Sequence, residues 1–298
     1  MAILINENTK VLMQGITGRE ARIRAKLMLD YGTKLVAGVT PGKGGQEVLG
    51  VPVYDTVMEA KELNPEMSVS AIFVPATIAK DAALEAIDAG IKVIVLLPER
   101  MPQQDMLEVI AYAKQNEALV IGPNTIGVIS PGKSLVGMIG ARLDFANEFF
   151  IPGVVGVLSR SGGNTTTLCY YLTKAGVGQS TAISVGGDAF IGATWCDLLQ
   201  LFQDDPETKG VVLYGEIGTS IEEDAAKFIL LGKFTKPVVA YVGGKYVKGG
   251  MRFGHGGAII SRGVGTVENK LKTLEKAGVY CVEHFSDIGE AAKEIIIK

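Results

Sequence analysis

His255 lies in a glycine-rich stretch, RFGHGGAII (252–260), and is one of only two histidines in the chain. An imidazole can ligate a metal, act as a base, act as a nucleophile or fill a core. We expect no metal here, because His284 is the only other histidine and the sequence has no cysteine cluster to complete a site. The flanking glycines predict a mobile loop rather than a core position. A nucleophile that carries a group between two places would need both an imidazole and such a loop.

Glu216 ends a predicted aliphatic strand in the stretch GVVLYGEIG (210–218). A carboxylate at that place could bond one imidazole nitrogen and leave the other nucleophilic, as the third member of a catalytic triad does. The simpler interpretation is an acid near the N-terminus of the following helix, which is common.

A third turn, SRSGGNTTT (159–167), follows a predicted strand and begins a helix. The free amides and positive dipole end of such a helix bind phosphate. Because the carboxyl ends of parallel strands share one edge of a sheet, this turn should lie beside Glu216 and His255. The three together predict a nucleophilic imidazole next to a seat for a phosphoryl group.

Basic residues gather around two further glycine-rich turns, QGITGREAR (14–22) and TPGKGG (40–45). The glycines of the first are spaced GxxG, so the GxGxxG dinucleotide fingerprint is absent. Arg19 and Lys43 belong to a concentration of positive charge that suits a phosphate-rich ligand such as coenzyme A. A tight turn and a solvated basic helix face explain the same residues equally well. This stretch alone leaves both interpretations open.

The stretch GVISPGKS (127–134) matches the Walker A pattern literally. A Walker A loop joins a strand directly to a helix, so that successive amides surround the phosphates. Here Pro131 removes one amide, and the following LVGM is typical of a strand. We interpret the match as a coincidence.

The elements that must position these residues alternate along the chain. Short aliphatic strands ending in Gly, Pro or Asn are separated by helix-like stretches such as 19–31, 79–90 and 103–117. This pattern predicts parallel βαβ units with both sheet faces covered. The pattern breaks at 131–152, where two prolines bracket the segment. We therefore expect an N-terminal domain over 1–130, a joint over 131–152 and a second α/β domain over 153–298.

Composition excludes several classes of protein. The chain has 298 residues, a formal charge of −3 and three widely spaced cysteines. The chain has no overall positive charge, so its charge does not indicate nucleic-acid binding. No apolar run reaches the roughly 18 residues that a membrane span needs. The sequence MAILINENTK does not read as a secretory signal. We expect a cytoplasmic protein with reduced thiols.

The chain resembles a known family. The stretches VTPGKGG, IGPN, SPG, SRSGG, VGGD, GEIG and GHGGAII occur in the same order in the small subunit of succinyl-CoA synthetase, and the resemblance runs from about residue 2 to 296. Citryl-CoA synthetase and the small-subunit region of ATP-citrate lyase share the pattern. The resemblance implies an α/β fold, with a Rossmann-like CoA-binding domain followed by a flavodoxin-like parallel α/β domain. It also implies an acid–thiol ligase that is inactive without a larger ATP-grasp subunit, which holds ATP or GTP with Mg²⁺.

The same resemblance assigns roles to individual residues. His255 is the residue that is transiently phosphorylated, Glu216 supports it, and the helix N-terminus at Ser161, Gly162 and Gly163 holds the phosphate. CoA lies across the N-terminal domain. Its expected contacts are Gly15, Thr17, Gly18, Arg19, Glu20, Lys43, Pro75, Leu97, Pro98, Glu99 and Asn124.

Departures from the family pattern concern the acid substrate. Succinyl-CoA synthetases read SRSGTLTYE where this chain has SRSGGNTTT, so a tyrosine near the substrate becomes Thr166, and the usual cysteine after GPN is Thr125. Thr125 and Gly163 are similar to the citrate-lyase branch, as is the longer joint LDFANEFFIPG. Thr166 in place of Tyr leaves room for a bulkier, more polar acid. We therefore expect citrate as the substrate. The alternatives are a succinyl-CoA synthetase of the citric acid cycle and a non-catalytic CoA-binding regulatory module.

Overall fold

The computed structural model describes residues 2–245, 255–258 and 265–298. Its strands form two seven-stranded sheets with helices packed on them, which confirms the expected α/β fold class. Most strands read as continuous aliphatic runs because they are buried on both faces; β12 (Gly210–Glu216), for example, is buried at every position.

The first sheet takes its strands from the first 121 residues. In space they are ordered β3-β4-β2-β1-β5-β6-β7, and every pair is parallel except β3 with β4. The order from β4 onward is that of dinucleotide-binding folds, in which ligands bind at the carboxyl ends of the strands. The strands are β1 (Lys10–Gln14), β2 (Lys34–Val39), β3 (Glu47–Val48), β4 (Val51–Tyr54), β5 (Met67–Ile72), β6 (Val93–Leu96) and β7 (Leu119–Ile121).

The second sheet has the order β14-β13-β12-β10-β11-β8-β9. The five strands β10 to β14 are parallel and follow the flavodoxin-like order, whereas β8 and β9 are antiparallel additions at one edge. Besides β12, the strands are β8 (Gly127–Ser130), β9 (Ser134–Gly137), β10 (Pro152–Ser159), β11 (Gln179–Ser184), β13 (Val238–Gly243) and β14 (Tyr280–Cys281).

Helices connect the parallel strands and cover both sheets. They are α1 (Arg19–Asp30), α2 (Val57–Leu63), α3 (Ala79–Asp88), α4 (Gln103–Gln115), α5 (Leu143–Phe149), α6 (Gly162–Lys174), α7 (Trp195–Asp204), α8 (Ile221–Leu230), α9 (Val267–Lys276) and α10 (Ile288–Ala292), with a final π-helical turn at Lys293–Ile297. Among the helices described, none is both long and apolar enough to cross a bilayer.

Residues 131–152, which the sequence predicts as a joint, contain β9 of the second sheet and helix α5. The second sheet begins earlier in the chain than predicted, because β8 begins at Gly127 and forms a hairpin with β9 that extends β11. The hairpin also packs on the first domain, where Thr33 donates a hydrogen bond to the carbonyl of Leu135 and accepts one from its amide (2.6 and 3.0 Å). The Walker-like stretch is therefore strand–turn–strand, which confirms that a strand and not a helix follows it.

Candidate functional site

Three turns of the second domain meet at one edge of the sheet. Ser159, the last residue of β10, is in register with Ser184 on β11 and Tyr214 on β12. The strands are parallel, so the turns that follow them lie side by side. The turns after β10 and β11 carry Ser161 and the pair Gly187–Asp188, and Glu216 is the last residue of β12.

His255 is hydrogen bonded to Glu216 at this edge. Its Nδ1 lies 2.9 Å from both carboxylate oxygens, and Glu216 is only 7% exposed. In the neutral imidazole, Nδ1–H donates to the carboxylate, and the second nitrogen, Nε2, keeps its lone pair. The arrangement that the sequence predicted for a nucleophilic imidazole is present. The predicted mobile loop around it falls largely on residues 246–254 and 259–264, which lie outside the described residues.

Two glycines allow the histidine segment to approach the sheet. A Cβ at Gly187 would overlap the imidazole, and one at Gly257 would lie 3.0 Å from the carbonyl oxygen of Asp188. The amide of Gly257 donates to the carbonyl of Gly187 (3.0 Å). A short backbone contact between two glycine turns thus seats His255 against Glu216.

The surroundings raise the pKa of His255 above its ordinary value. The largest cause is the hydrogen bond to Glu216; partial burial opposes it, the charges of Glu216 and Asp188 add to it, and the charge of Arg160 lowers it. A carboxylate partner stabilises imidazolium and also orients the neutral ring.

Ser161 holds the N-cap position of α6, with extended backbone. Gly162 must be small, because a Cβ there would lie 2.6 Å from Ile126 Cγ2, whereas a Cβ at Gly163 would meet no described atom within 4 Å. Thr166 is partly buried in the same helix. The N-cap of this 13-residue helix therefore follows directly after Arg160 in the chain.

A polar cluster beside this turn was not predicted. The side-chain amide of Asn164 donates to Ser161 Oγ (3.0 Å) and to Tyr214 Oη (2.8 Å). Since Oγ accepts from Asn164, its own proton is available for another acceptor. Asn164 replaces the Leu of the SRSGTLTYE pattern, and that departure was the signal in the sequence.

A cleft of about 710 Å³ opens between the two domains in front of His255. One wall comes from the segment 99–106 of the first domain and the other from 188–190 of the second. The side-chain amide of Asn124 crosses between them and donates to Asp188 Oδ1 (3.0 Å). Glu99 and Asn124, two of the expected CoA contacts, therefore share a cleft with the histidine.

A second, largely apolar cavity of about 570 Å³ lies at the carboxyl ends of β1 and β5. Gly15, Thr17, Gly18 and Pro75 line it, all expected CoA contacts. Gly15 has φ +80°, and a Cβ there would lie 2.6 Å from the carbonyl oxygen of Phe73. The turn can therefore close over the strand ends only with glycine at this position.

The other expected CoA contacts are dispersed. Arg19 and Glu20 are exposed at the start of α1, and Lys43 is exposed after β2. Leu97 is 7% exposed and packs in the core, and the carbonyl of Pro98 accepts from the amide of Asn124 (2.8 Å). Leu97 and Pro98 thus support the cleft wall.

The prediction that Thr125 contacts the acid needs correction. Thr125 is 1% exposed. Its hydroxyl donates to the carbonyl of Ser184 and accepts from the amide of Gly127 (2.8 Å). Both roles join β8 to β11, so the hydroxyl is already used inside the protein.

The comparisons with known proteins cover the whole chain. A CoA binding domain model matches residues 6–100, and a CoA-ligase model matches residues 158–280. The chain is 51% identical over 296 residues to succinate–CoA ligase (ADP-forming) subunit alpha 2 of Archaeoglobus fulgidus, covering 99% of this chain and 100% of that one. It is 47% identical to the alpha subunit of the same ligase from Aquifex aeolicus, covering 99% and 95%.

Among solved structures, ATP citrate lyase from Methanothrix soehngenii in complex with citrate and coenzyme A superposes with a TM-score of 0.91 at 25% identity. That match covers 99% of this chain but only 50% of the lyase chain. The chain thus spans about half the length of that protein.

Proposed function

Because the chain belongs to the family of succinate–CoA ligase alpha subunits, we propose that it joins a carboxylic acid to CoA through a phosphorylated His255. It is a ligase subunit with CoA-binding and CoA-ligase domains. We propose that a larger ATP-grasp partner subunit supplies the nucleotide, ATP or GTP, with Mg²⁺. The observation that carries the proposal is the bond from His255 Nδ1 to Glu216, which leaves Nε2 as the nucleophile.

We propose succinate as the acid, in place of the citrate that the sequence analysis favoured. Relatives named succinate–CoA ligase match the chain over its full length at 46–51% identity, whereas the citrate lyase structure shares 25%. The argument for a larger acid also loses one of its residues, because the hydroxyl of Thr125 is bonded within the protein.

In the first step Nε2 attacks the γ-phosphorus of the nucleotide and the nucleoside diphosphate leaves. The phosphorylated ring would carry a positive charge, which the Glu216 carboxylate at Nδ1 stabilises. Ser161 and the first amides of α6 offer donors for the phosphoryl oxygens. A nucleotide held by another subunit agrees with the hairpin structure of the Walker-like stretch.

In the second step a carboxylate oxygen of the acid attacks phosphorus, which gives an acyl phosphate and regenerates the imidazole. The thiolate of CoA then attacks the acyl carbon, inorganic phosphate leaves and the thioester forms. We propose that the nucleotide end of CoA occupies the cavity at β1 and β5 and that its thiol reaches the cleft beside Glu99 and Asn124. Closure of that cleft would keep water from the acyl phosphate.

The test is phosphorylation of the assembled complex. With γ-³²P-labelled ATP and the partner subunit present, we expect an acid-labile, base-stable label on this chain. His255→Ala should abolish the label and His284→Ala should retain it. CoA binding without any label in an assembled complex would instead support the regulatory module.

A further inference from the structure

Arg160 lies directly beneath the turn that carries His255 and is completely buried. Its Nη1 lies 3.4 Å from the carbonyl oxygens of Ile217 and Gly218, the two residues after Glu216. A Cβ at Gly257 would lie 2.8 Å from Nη2. The guanidinium therefore contacts both segments that bring Glu216 and His255 together.

Part of this guanidinium is without a hydrogen bond to the residues that the structure describes. Within the described part of the chain, Nε and Nη2 are buried without a partner. The nearest carboxylates are Glu216, 3.8 Å from Nη2, and Glu222, 3.9 Å from Nη1. These distances are too long for hydrogen bonds, but charges at this separation interact strongly away from water. Arg160 thus acts on its neighbours mainly through its charge.

The second buried cation contacts carboxylates other than Glu216. Lys270 is fully buried and donates to Glu222 and, at 2.7 Å, to Glu223. Glu222 in turn accepts the backbone amide of Glu216 (3.0 Å). Among the described residues, Lys270 is bonded to Glu222 and Glu223, whereas Arg160 is the buried cation that lies 3.8 Å from Glu216.

We infer that Arg160 is a positioning residue of the phosphorylation step: its buried positive charge lies beside the His255–Glu216 pair and opposes an added proton there, so that the ring stays neutral and Nε2 is free to attack. The inference rests on the proposed function, in which His255 accepts the phosphoryl group. A lysine at the same position would keep the charge, whereas a glutamine would keep only part of the shape.

The charged groups that face His255 are Glu216 from β12, Asp188 after β11 and Arg160 after β10. The two acids favour a proton on the imidazole, and the arginine opposes it. Removing Arg160 should therefore make the His255–Glu216 pair hold its proton to higher pH, and the shift belongs to the pair as a unit.

The experiment is an NMR titration of the full chain, which has only two histidines, with His284→Gln used for assignment. Arg160→Gln should raise the His255 midpoint by about one pH unit, and Arg160→Lys should return it toward the native value. The exposed Arg142, paired with Asp144 at the start of α5, provides the control Arg142→Gln, which should leave the midpoint unchanged. A native midpoint in folded Arg160→Gln would overturn the inference.

A second measurement needs no variant, in case Arg160→Gln does not fold. In the native chain, the slowly exchanging side-chain ¹⁵N signal of the buried arginine should shift with the same midpoint as His255. A buried arginine signal whose ¹⁵N chemical shift does not change over this titration would overturn the inference. Neither measurement requires phosphorylation, so a failure here is distinct from an absent label on His255.

Discussion

Asn124 donates a hydrogen bond to Asp188 across the cleft, and this bond joins the loop after β7 to the glycine turn beside His255. Asn124 has φ +58°, a conformation that asparagine and aspartate tolerate better than most residues. The bond therefore links the expected CoA site to the histidine site through one residue whose backbone already suits it.

Replacing this bond by a repulsion should loosen the cleft. In Asn124→Asp the backbone preference is kept, but two carboxylates face each other, and we expect the KM for CoA to rise about 10-fold with a loss of about 1 kcal/mol in unfolding free energy. Steady-state kinetics and urea unfolding measure the two effects. Adding Asp188→Asn should restore most of both; a double variant as impaired as Asn124→Asp would show that the contact itself is unimportant.

The rate of His255 phosphorylation should be low in acid and rise with pH, with an apparent pKa above the ordinary pKa of histidine. The pKa of His255 is raised, chiefly by Glu216, and only the neutral ring attacks, so the rate should increase as pH rises through that pKa. Glu216→Gln should lower this apparent pKa and reduce the maximum rate about 100-fold. Single-turnover labelling across pH 5–9 measures both.

The same shift has a consequence for stability. A pKa that is higher in the folded than in the unfolded chain contributes stability that is fully present below the unfolded value and is lost as pH rises through the folded one. Glu216→Gln should therefore flatten this part of the profile of unfolding free energy against pH. An unchanged profile would show that the contact with Glu216 is not what raises the pKa of His255.

Asn164 should matter through Ser161. Asn164→Leu introduces the residue of the succinyl-CoA synthetase pattern and removes the donor that fixes the Ser161 hydroxyl, so we expect phosphorylation to slow about 10-fold. Ser161→Ala should slow it similarly, and the double variant should be no slower than Ser161→Ala alone. Additive losses would indicate that Asn164 acts elsewhere, for example through Tyr214.

Lys43 tests the placement of CoA. If this exposed lysine meets the outer phosphate of CoA, Lys43→Ala should weaken CoA binding about 10-fold and leave 3′-dephospho-CoA unaffected. Isothermal calorimetry with both ligands measures this. If Lys43→Ala weakens the binding of both ligands equally, Lys43 does not contact that phosphate.

For Lys133, in contrast, we expect that removing the side chain has little effect on the KM for nucleotide. This lysine lies in the β8–β9 turn and pairs with Glu207 (3.1 Å), so Lys133→Ala should leave the KM for nucleotide within about 2-fold of the native value, as for most surface changes. A large increase would restore a nucleotide role to the Walker-like stretch.

Much of the fold follows from local patterns. The helices predicted at 19–31, 79–90 and 103–117 occur at Arg19–Asp30, Ala79–Asp88 and Gln103–Gln115, because the spacing of apolar residues that specifies a helix involves only nearby residues. The hairpin at 127–137 was missed. Its pairing with β11 joins residues about 55 apart, and no short window of sequence contains that contact.

The site was predictable where a residue type is rare and its turn distinctive, as for His255 and Glu216. Arg160 and Asp188 were missed although both stand in the quoted stretches SRSGG and VGGD. Their roles depend on burial and on which strand ends are neighbours. Thr125 was misassigned for the same reason, because its sequence position does not reveal that its hydroxyl is bonded within the sheet.

The edge strand β9 of the second sheet is covered by the first domain. Ser134–Gly137 are all buried although β9 ends the second sheet, because α1 and Thr33 of the first domain cover its outer side. An uncovered edge of this kind exposes unpaired amides and carbonyls that invite pairing with a second molecule. In a ligase domain expressed from Gly127 onward, the edge of β9 would be exposed to solvent. We therefore expect the CoA-binding domain to protect the ligase domain against aggregation by covering this edge.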